Sequence, residues 1–150
     1  MSTYLRYAEE GDLHLDFHGA NNTIIDYVLK TYGAEALEEI FRKLGHDVYR
    51  SIREDLERGH SAQLLAHWSH FFDREQCDYD IEIGEDEIVL TMRRCTAWHH
   101  VAKLVGHPSP HFCDQTISTN RAMVAASPFS LETEITGPGS CRQVLKRREP

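Results

Sequence analysis

The sequence predicts an α+β domain, with N-terminal helices packed against an antiparallel sheet in the order ααα-ββ-αα-ββ. Three observations predict it. Apolar residues recur every three or four positions through the first half of the chain. The period then falls to two in two short runs between Cys77 and Arg94. Turn signals, Gly84-Glu85-Asp86 and Gly137-Pro138-Gly139, separate consecutive alternating runs as hairpins.

The elements follow in order. Residues 1–20 read as polar and irregular, and they hold no apolar stretch of the kind that opens a secretory signal. Asn21 or Asn22 reads as the cap of a first helix that starts near Thr23 and stops at Gly33. A second helix is expected over residues 34–58. Its stripe is Leu37, Ile40, Phe41, Leu44, Val48, Ile52 and Leu56, with a kink at Gly45 and an end at Gly59. A third spans residues 61–74 and turns Leu64, Leu65, Trp68, Phe71 and Phe72 inward. Strands are expected over residues 77–83 and 86–94, where Tyr79, Ile81 and Ile83, then Ile88, Leu90 and Met92, alternate with other residues. A helical segment follows from Ala97 to Gly106. Ser109 reads as the cap of the next helix, with Pro110 at its first position and an end near Ala126. Strands over residues 129–136 and 140–147 close the chain.

Composition narrows the function classes. At 150 residues the chain is one domain, 1–150, large enough to fold without metal or disulfides. A net charge of −8 argues against nucleic acid and anionic membrane surfaces as partners. The terminal cluster Arg142, Lys146, Arg147 and Arg148 reads as an exposed edge. No segment is long and apolar enough to span a bilayer. With four cysteines and no signal, a cytoplasmic protein with free thiols is expected. Homo-oligomerisation is left open.

The residues that can carry chemistry gather in the second half. On the helix after Pro110, Cys113, Thr116, Ile117, Asn120 and Val124 share one face. A thiol, a hydroxyl and an amide on a buried face need partners, and a bound small molecule would supply them. Local backbone bonds and simple burial of Cys113 are the alternative. Cys113 also lies near the positive end of its helix, which favours a thiolate and makes it a candidate nucleophile. Asp114 adjoins it, and His111 is two residues away. His99 and His100 point in different directions, so one of them at most faces a pocket. His107 and His111 are separated by prolines. His67 and His70 could share a metal but fit a half-buried helix face equally. His18 precedes Gly19 and a cap, where a backbone bend can present it to a cleft. Cys95, Cys113, Cys141 and a histidine have the chemistry of zinc ligands, but their spacing matches no common zinc motif. Zinc stays open, and no metal ligand is assigned. Phosphate-loop, dinucleotide and nucleophile-elbow motifs are absent.

Short motifs around these residues resemble the L-2-amino-thiazoline-4-carboxylic acid hydrolase-like family. They are Arg94-Cys95-Thr96-Ala97-Trp98, Phe112-Cys113-Asp114-Gln115-Thr116 with Asn120, and Gly139-Ser140-Cys141-Arg142-Gln143. Tyr32-Gly33 through Leu37, His67-Trp68 and Phe71-Phe72 add to the likeness, which runs from about His18 to Arg147. Thr96 stands where the family often has proline. The chain more distantly resembles 4-vinyl reductase-type ligand-binding domains, but lacks their further cysteine among Glu132, Thr133, Glu134, Ile135 and Thr136.

The first resemblance implies a hydrolase that opens a small cyclic C–N substrate, such as a thiazoline carboxylate. Cys113 would be nucleophile or polar anchor, with Asp114 or one of His18, His99 and His111 handling protons. Asn21, Cys95, Thr116, Asn120 and Cys141 would line the substrate site, and Arg94 or Arg142 would hold the carboxylate. Two other classes share the same residues: a small-molecule sensor or carrier without turnover, with the thiols as packing or metal ligands, and an interaction module with a vestigial pocket.

Overall fold

The computed structural model describes Tyr7 and residues 10–150. The sequence expectations for residues 1–6, 8 and 9 therefore lie outside the described residues. Helices α1 (Asp16–Tyr32), α2 (Ala34–Lys43), α3 (Arg50–Glu57) and α4 (Ala62–Arg74) precede strands β1 (Asp78–Ile83) and β2 (Glu87–Arg94). Helices α5 (Thr96–Val105) and α6 (Asp114–Val124) then precede β3 (Phe129–Gly137) and β4 (Ser140–Arg147). The four strands form one antiparallel sheet in the order β1-β2-β4-β3. The α+β class and its antiparallel sheet are as the periodicity predicts.

Three element boundaries differ from expectation, each for a physical reason. Helix α1 starts at Asp16, not near Thr23, and Leu15 at its cap makes no side-chain cap bond. Asn21 and Asn22 are interior residues of α1. Asn22 is buried because its Oδ1 accepts a hydrogen bond from the Ser109 backbone N–H at 2.7 Å. An asparagine that caps and one that makes a tertiary bond look alike in sequence.

The long helix expected over residues 34–58 is α2 and α3 joined by a π-helical turn, Leu44–Val48. Gly45 is buried there against α6. A Cβ at Gly45 would lie 2.6 Å from the Thr119 carbonyl oxygen and 2.7 Å from the Ala122 Cβ. The widened turn lets the backbones approach closely and keeps Leu37, Phe41, Ile52 and Leu56 buried, while Ile40 and Val48 of the expected stripe are exposed.

Helix α6 begins at Asp114, four residues later than Pro110, with Cys113 at the cap. Ser109 instead closes a tight turn. Its Oγ accepts from the His111 N–H at 3.2 Å, and its carbonyl accepts from the Phe112 N–H at 3.0 Å.

Sheet register decides which residues face the helices. Leu90 pairs with Gln143, and Gln143 with Thr133; Met92 pairs with Cys141, and Cys141 with Ile135. Leu90, Met92, Leu131 and Leu145 are buried on the helix-facing side. One residue along, the side chains point the other way. There Arg93 bonds Asp78 and Asp80, and Arg142 is exposed beside Glu134.

The apolar interior forms two clusters. One joins Ile52, Leu56, Leu64, Trp68, Met123 and Val124 to the sheet through Leu90, Met92, Leu131 and Leu145. The other joins Ile25, Val28, Leu37, Phe41, Ala97, Val101 and Phe112 among α1, α2, α5 and the turn before α6. Cys95 packs against both. Among the described residues, no helix is long and apolar enough to cross a membrane.

The contact at Gly45 gives a stability expectation. Gly45→Ala should cost about 1–3 kcal/mol, the usual range for overpacking a close contact, despite alanine's better helix propensity. Urea unfolding followed by circular dichroism measures this. A variant as stable as wild type would mean that α2 and α6 have room to separate.

Candidate functional site

A cavity of about 440 Å³ lies at the seam between the two apolar clusters. Aromatic rings form much of its wall: Tyr49, Trp68, Phe71, Phe72, Trp98 and Phe112. Its polar wall comes from distant parts of the chain. Helix α1 supplies His18 and Asn21, the end of α4 supplies Glu75, and α6 with its cap supplies Cys113, Thr116 and Asn120. Strands β3 and β4 supply Thr133, Cys141 and Gln143, and Cys95 comes from the β2–α5 junction. Glu75 is the one carboxyl side chain in the described lining, and no Lys or Arg joins it.

The buried polar groups are organised in two units. His18 Nε2 and Glu75 Oε1 are 2.8 Å apart, with side chains only 9% and 6% exposed. The bond spans 57 residues of sequence and ties α1 to the C-terminal end of α4. With Nε2–H donating to the carboxylate, Nδ1 keeps its lone pair, and among the described residues it has no protein partner. Glu75 is placed by the turn that ends α4. Gln76 takes a left-handed conformation, φ 54°, while the Cys77 N–H bonds back to the Phe72 carbonyl at 2.9 Å. A non-glycine residue in this region is strained, and here it sits between Glu75 and Cys77.

The second unit crosses from helix to sheet. Asn120 Nδ2 donates to Gln143 Oε1 at 2.8 Å and to Thr133 Oγ1 at 3.4 Å. Gln143 Nε2 in turn reaches Cys141 Sγ at 3.9 Å. The polar face expected on α6 therefore has protein partners at Asn120, while Thr116 and Cys113 meet the cavity.

The cysteines have four different environments, and all four are free. At Cys113, burial pushes the thiol up to about 11, and nearby Cys141 and Asp114 add to the rise. The direction is opposite to the one that a place at a helix start favours. Burial raises the Cys141 thiol as well. Cys77, which the sequence reading took only as a strand start, is the activated one. A hydrogen bond from the Cys95 thiol lowers it to about 7, despite burial, and the Thr96 N–H lies 3.5 Å from its sulfur. The Cys95 thiol is raised by that same bond and by burial.

Of the other residues singled out in the sequence, His67 joins the lining, while Asp114, His99, His100, His111, Arg94 and Arg142 lie outside it. Asp114 is held 2.7 Å from His111 Nδ1 on a half-exposed surface. His99 packs under the hairpin turn, where a Cβ on Gly139 would come within 2.7 Å of its Nε2. Gly139 has φ +67° and gives its carbonyl to the Cys95 N–H at 2.8 Å, which accounts for glycine in the Gly139-Ser140-Cys141 motif. His100 bonds Asp16, and His67 stacks among aromatic rings with Tyr49 and Phe71. Arg94 is exposed at the end of β2 and Arg142 is exposed on the outer sheet face, so neither reaches the cavity. No group of three or more His, Cys, Asp or Glu side chains converges as a metal cluster among the described residues.

Sequence reading missed Glu75, Gln143, Thr133 and the Cys77–Cys95 pair. The turn-set register alone would set Cys77 against Arg94; a register shift between Asp78 and Tyr79 brings Cys95 level with Cys77, and no local pattern signals it. No protein-family model matches the chain, and no curated protein matches it significantly.

The thiol environments predict an order of reactivity. Cys77 should be alkylated first under native conditions, with Cys113 and Cys141 slow until the protein unfolds. Its rate should rise about tenfold from pH 6 to pH 8, against roughly 75-fold for an unperturbed thiol. Timed iodoacetamide labelling with peptide mass mapping reads both. Faster labelling at Cys113 would contradict the assignment.

Proposed function

We propose that the cavity binds a small cyclic amidine or related C–N ring and hydrolyses it, with His18 as general base. The observation that carries this reading is the buried His18–Glu75 pair in the wall of an otherwise largely aromatic cavity. A volume of about 440 Å³ lies within the range of small-molecule sites. Glu75 holds the imidazole in one tautomer and leaves Nδ1 to take a proton from water. Water oxygen would bond to the amidine carbon as its proton moves to Nδ1. Collapse of the tetrahedral carbon would break a ring bond, and the proton on His18 would pass to the departing ring atom. Cys113, Thr116 and Asn120 contact the ring in this reading, and the raised Cys113 thiol makes it a wall residue instead of a nucleophile.

The resemblance to thiazoline-carboxylate hydrolase-like proteins supports the ring class, but the lining does not favour the carboxylate. A substrate anion would meet Glu75 and no Lys or Arg in the described lining. Neutral or cationic rings suit the cavity better.

A non-catalytic binding role is the second reading. It draws on the Asn120–Gln143–Thr133 bonds, which satisfy much of the polar wall without any ligand.

His18→Ala should lower turnover of 2-amino-2-thiazoline by about 10²–10⁴-fold, the usual contribution of a general base, while changing its binding by less than about tenfold. Steady-state kinetics beside calorimetric titration separates the two effects. Binding by the wild type without any turnover would favour the sensor reading, and unchanged turnover in the variant would remove His18 from the chemistry.

A further inference from the structure

Cys77 and Cys95 stand apart from the proposed hydrolytic step. Asp78 pairs with Arg94 at the end of the β1–β2 ladder, beyond a register shift between Asp78 and Tyr79, and Cys77 and Cys95 are the residues that follow this last pair on either side. Opposed residues of an antiparallel ladder have Cα atoms about 4.5–5.5 Å apart, within the range that a disulfide spans. Neither backbone N–H points at the other strand's residue: Cys77 N–H bonds Phe72 O at 2.9 Å, and Cys95 N–H bonds Gly139 O at 2.8 Å. Both N–H groups are thus engaged away from the other cysteine, which leaves the side chains to meet. The Cys95 thiol is the largest influence lowering the Cys77 thiol, so the two side chains are neighbours. Both are half-buried, and Cys95 reaches the cavity wall.

We propose that Cys77 and Cys95 form a reversible thiol–disulfide couple, oxidised by hydrogen peroxide, that links the α4–β1 turn to the β2–α5 junction beside the cavity. In the first step Cys77 sulfur attacks one peroxide oxygen. The S–O bond forms, the O–O bond breaks, and the departing hydroxide takes a proton to become water. Cys95 sulfur then attacks the Cys77 sulfenic sulfur. The S–S bond forms, the S–O bond breaks, and the leaving hydroxide takes the Cys95 proton. Two thiols and one peroxide give one disulfide and two waters, with two electrons passing from sulfur to oxygen. A dithiol reverses the change. Cys77 is the attacking sulfur because its thiol is lowered to about 7 and the Thr96 N–H supports the anion. Cys95 is the resolving sulfur. The linkage fixes Cys77 two residues from Glu75, across the strained Gln76 turn, so the oxidation state also bears on one partner of the buried histidine.

The test treats the native protein with hydrogen peroxide at one to five equivalents, blocks free thiols, and maps peptides by mass before and after dithiothreitol. The expected result is one Cys77–Cys95 linked peptide that disappears on reduction, with Cys113 and Cys141 recovered as alkylated thiols. Cys95→Ser should stop at a Cys77 sulfenic acid that dimedone traps, and Cys77→Ser should slow oxidation of the protein at least tenfold. Circular dichroism of both variants checks that they fold; the wild-type map decides the question by itself. A linked pair other than Cys77–Cys95, or over-oxidation of Cys77 with Cys95 still free, would overturn the proposal.

Discussion

Two apolar clusters that never merge are the constraint on which the rest of this structure depends. The sheet, α3, α4 and α6 pack around one, while α1, α2 and α5 pack around the other. A chain of this size would ordinarily close a single core over its sheet. Here the seam stays open as a cavity, and a buried His18–Glu75 bond crosses it. That bond matters beyond its own modest strength. Breaking one half would leave the other partner buried and unpaired, at a cost of about 1–3 kcal/mol. The pair thus holds the two halves in one relative position while keeping a polar group at the surface of the cavity.

Environment, not sequence neighbourhood, separates the four thiols. Cys113 caps a helix yet is raised, by burial first and then by Cys141 and Asp114. Cys77 has no helix to activate it, yet is lowered by a thiol donor from the opposing strand. The β2–β4 register, Met92 with Cys141 and Leu90 with Gln143, places Cys141 and Gln143 on the cavity side. The strand alternation therefore distributes one reactive pair, one buried thiol and one amide anchor with no local motif for any of them. Gly139 completes the arrangement by letting His99 and Trp98 approach the hairpin turn while its carbonyl fixes Cys95.

Much of the fold was legible because periodicity is a local property. The alternation in Tyr79-Ile81 and Leu90-Met92 located a hairpin, and the stripe through Leu37, Phe41, Ile52 and Leu56 located the helices. The stripe concealed the π-helical turn, since an extra residue in one turn leaves apolar residues on the same face. Cys113, Thr116 and Asn120 were legible as one helix face, and Cys95, Cys141, His18 and Asn21 also reach the cavity. Arg142 was misplaced although strand parity was sufficient to exclude it: if Cys141 faces inward, Arg142 faces out. Glu75 and Gln143 were beyond local reading. One depends on a bond across 57 residues, and the other on which strand lies beside β2.

The central claim is that the seam is a binding site for small neutral or cationic C–N rings. It is tested most directly by heteronuclear NMR titration with 2-amino-2-thiazoline and, in parallel, with its 4-carboxylate. The account predicts saturable shifts at His18, Trp98 and Asn120 with the carboxylate-free ring, and at least tenfold weaker binding of the carboxylate. Absence of saturable shifts at the cavity, or tighter binding of the carboxylate with shifts at Arg94 or Arg142, would contradict it.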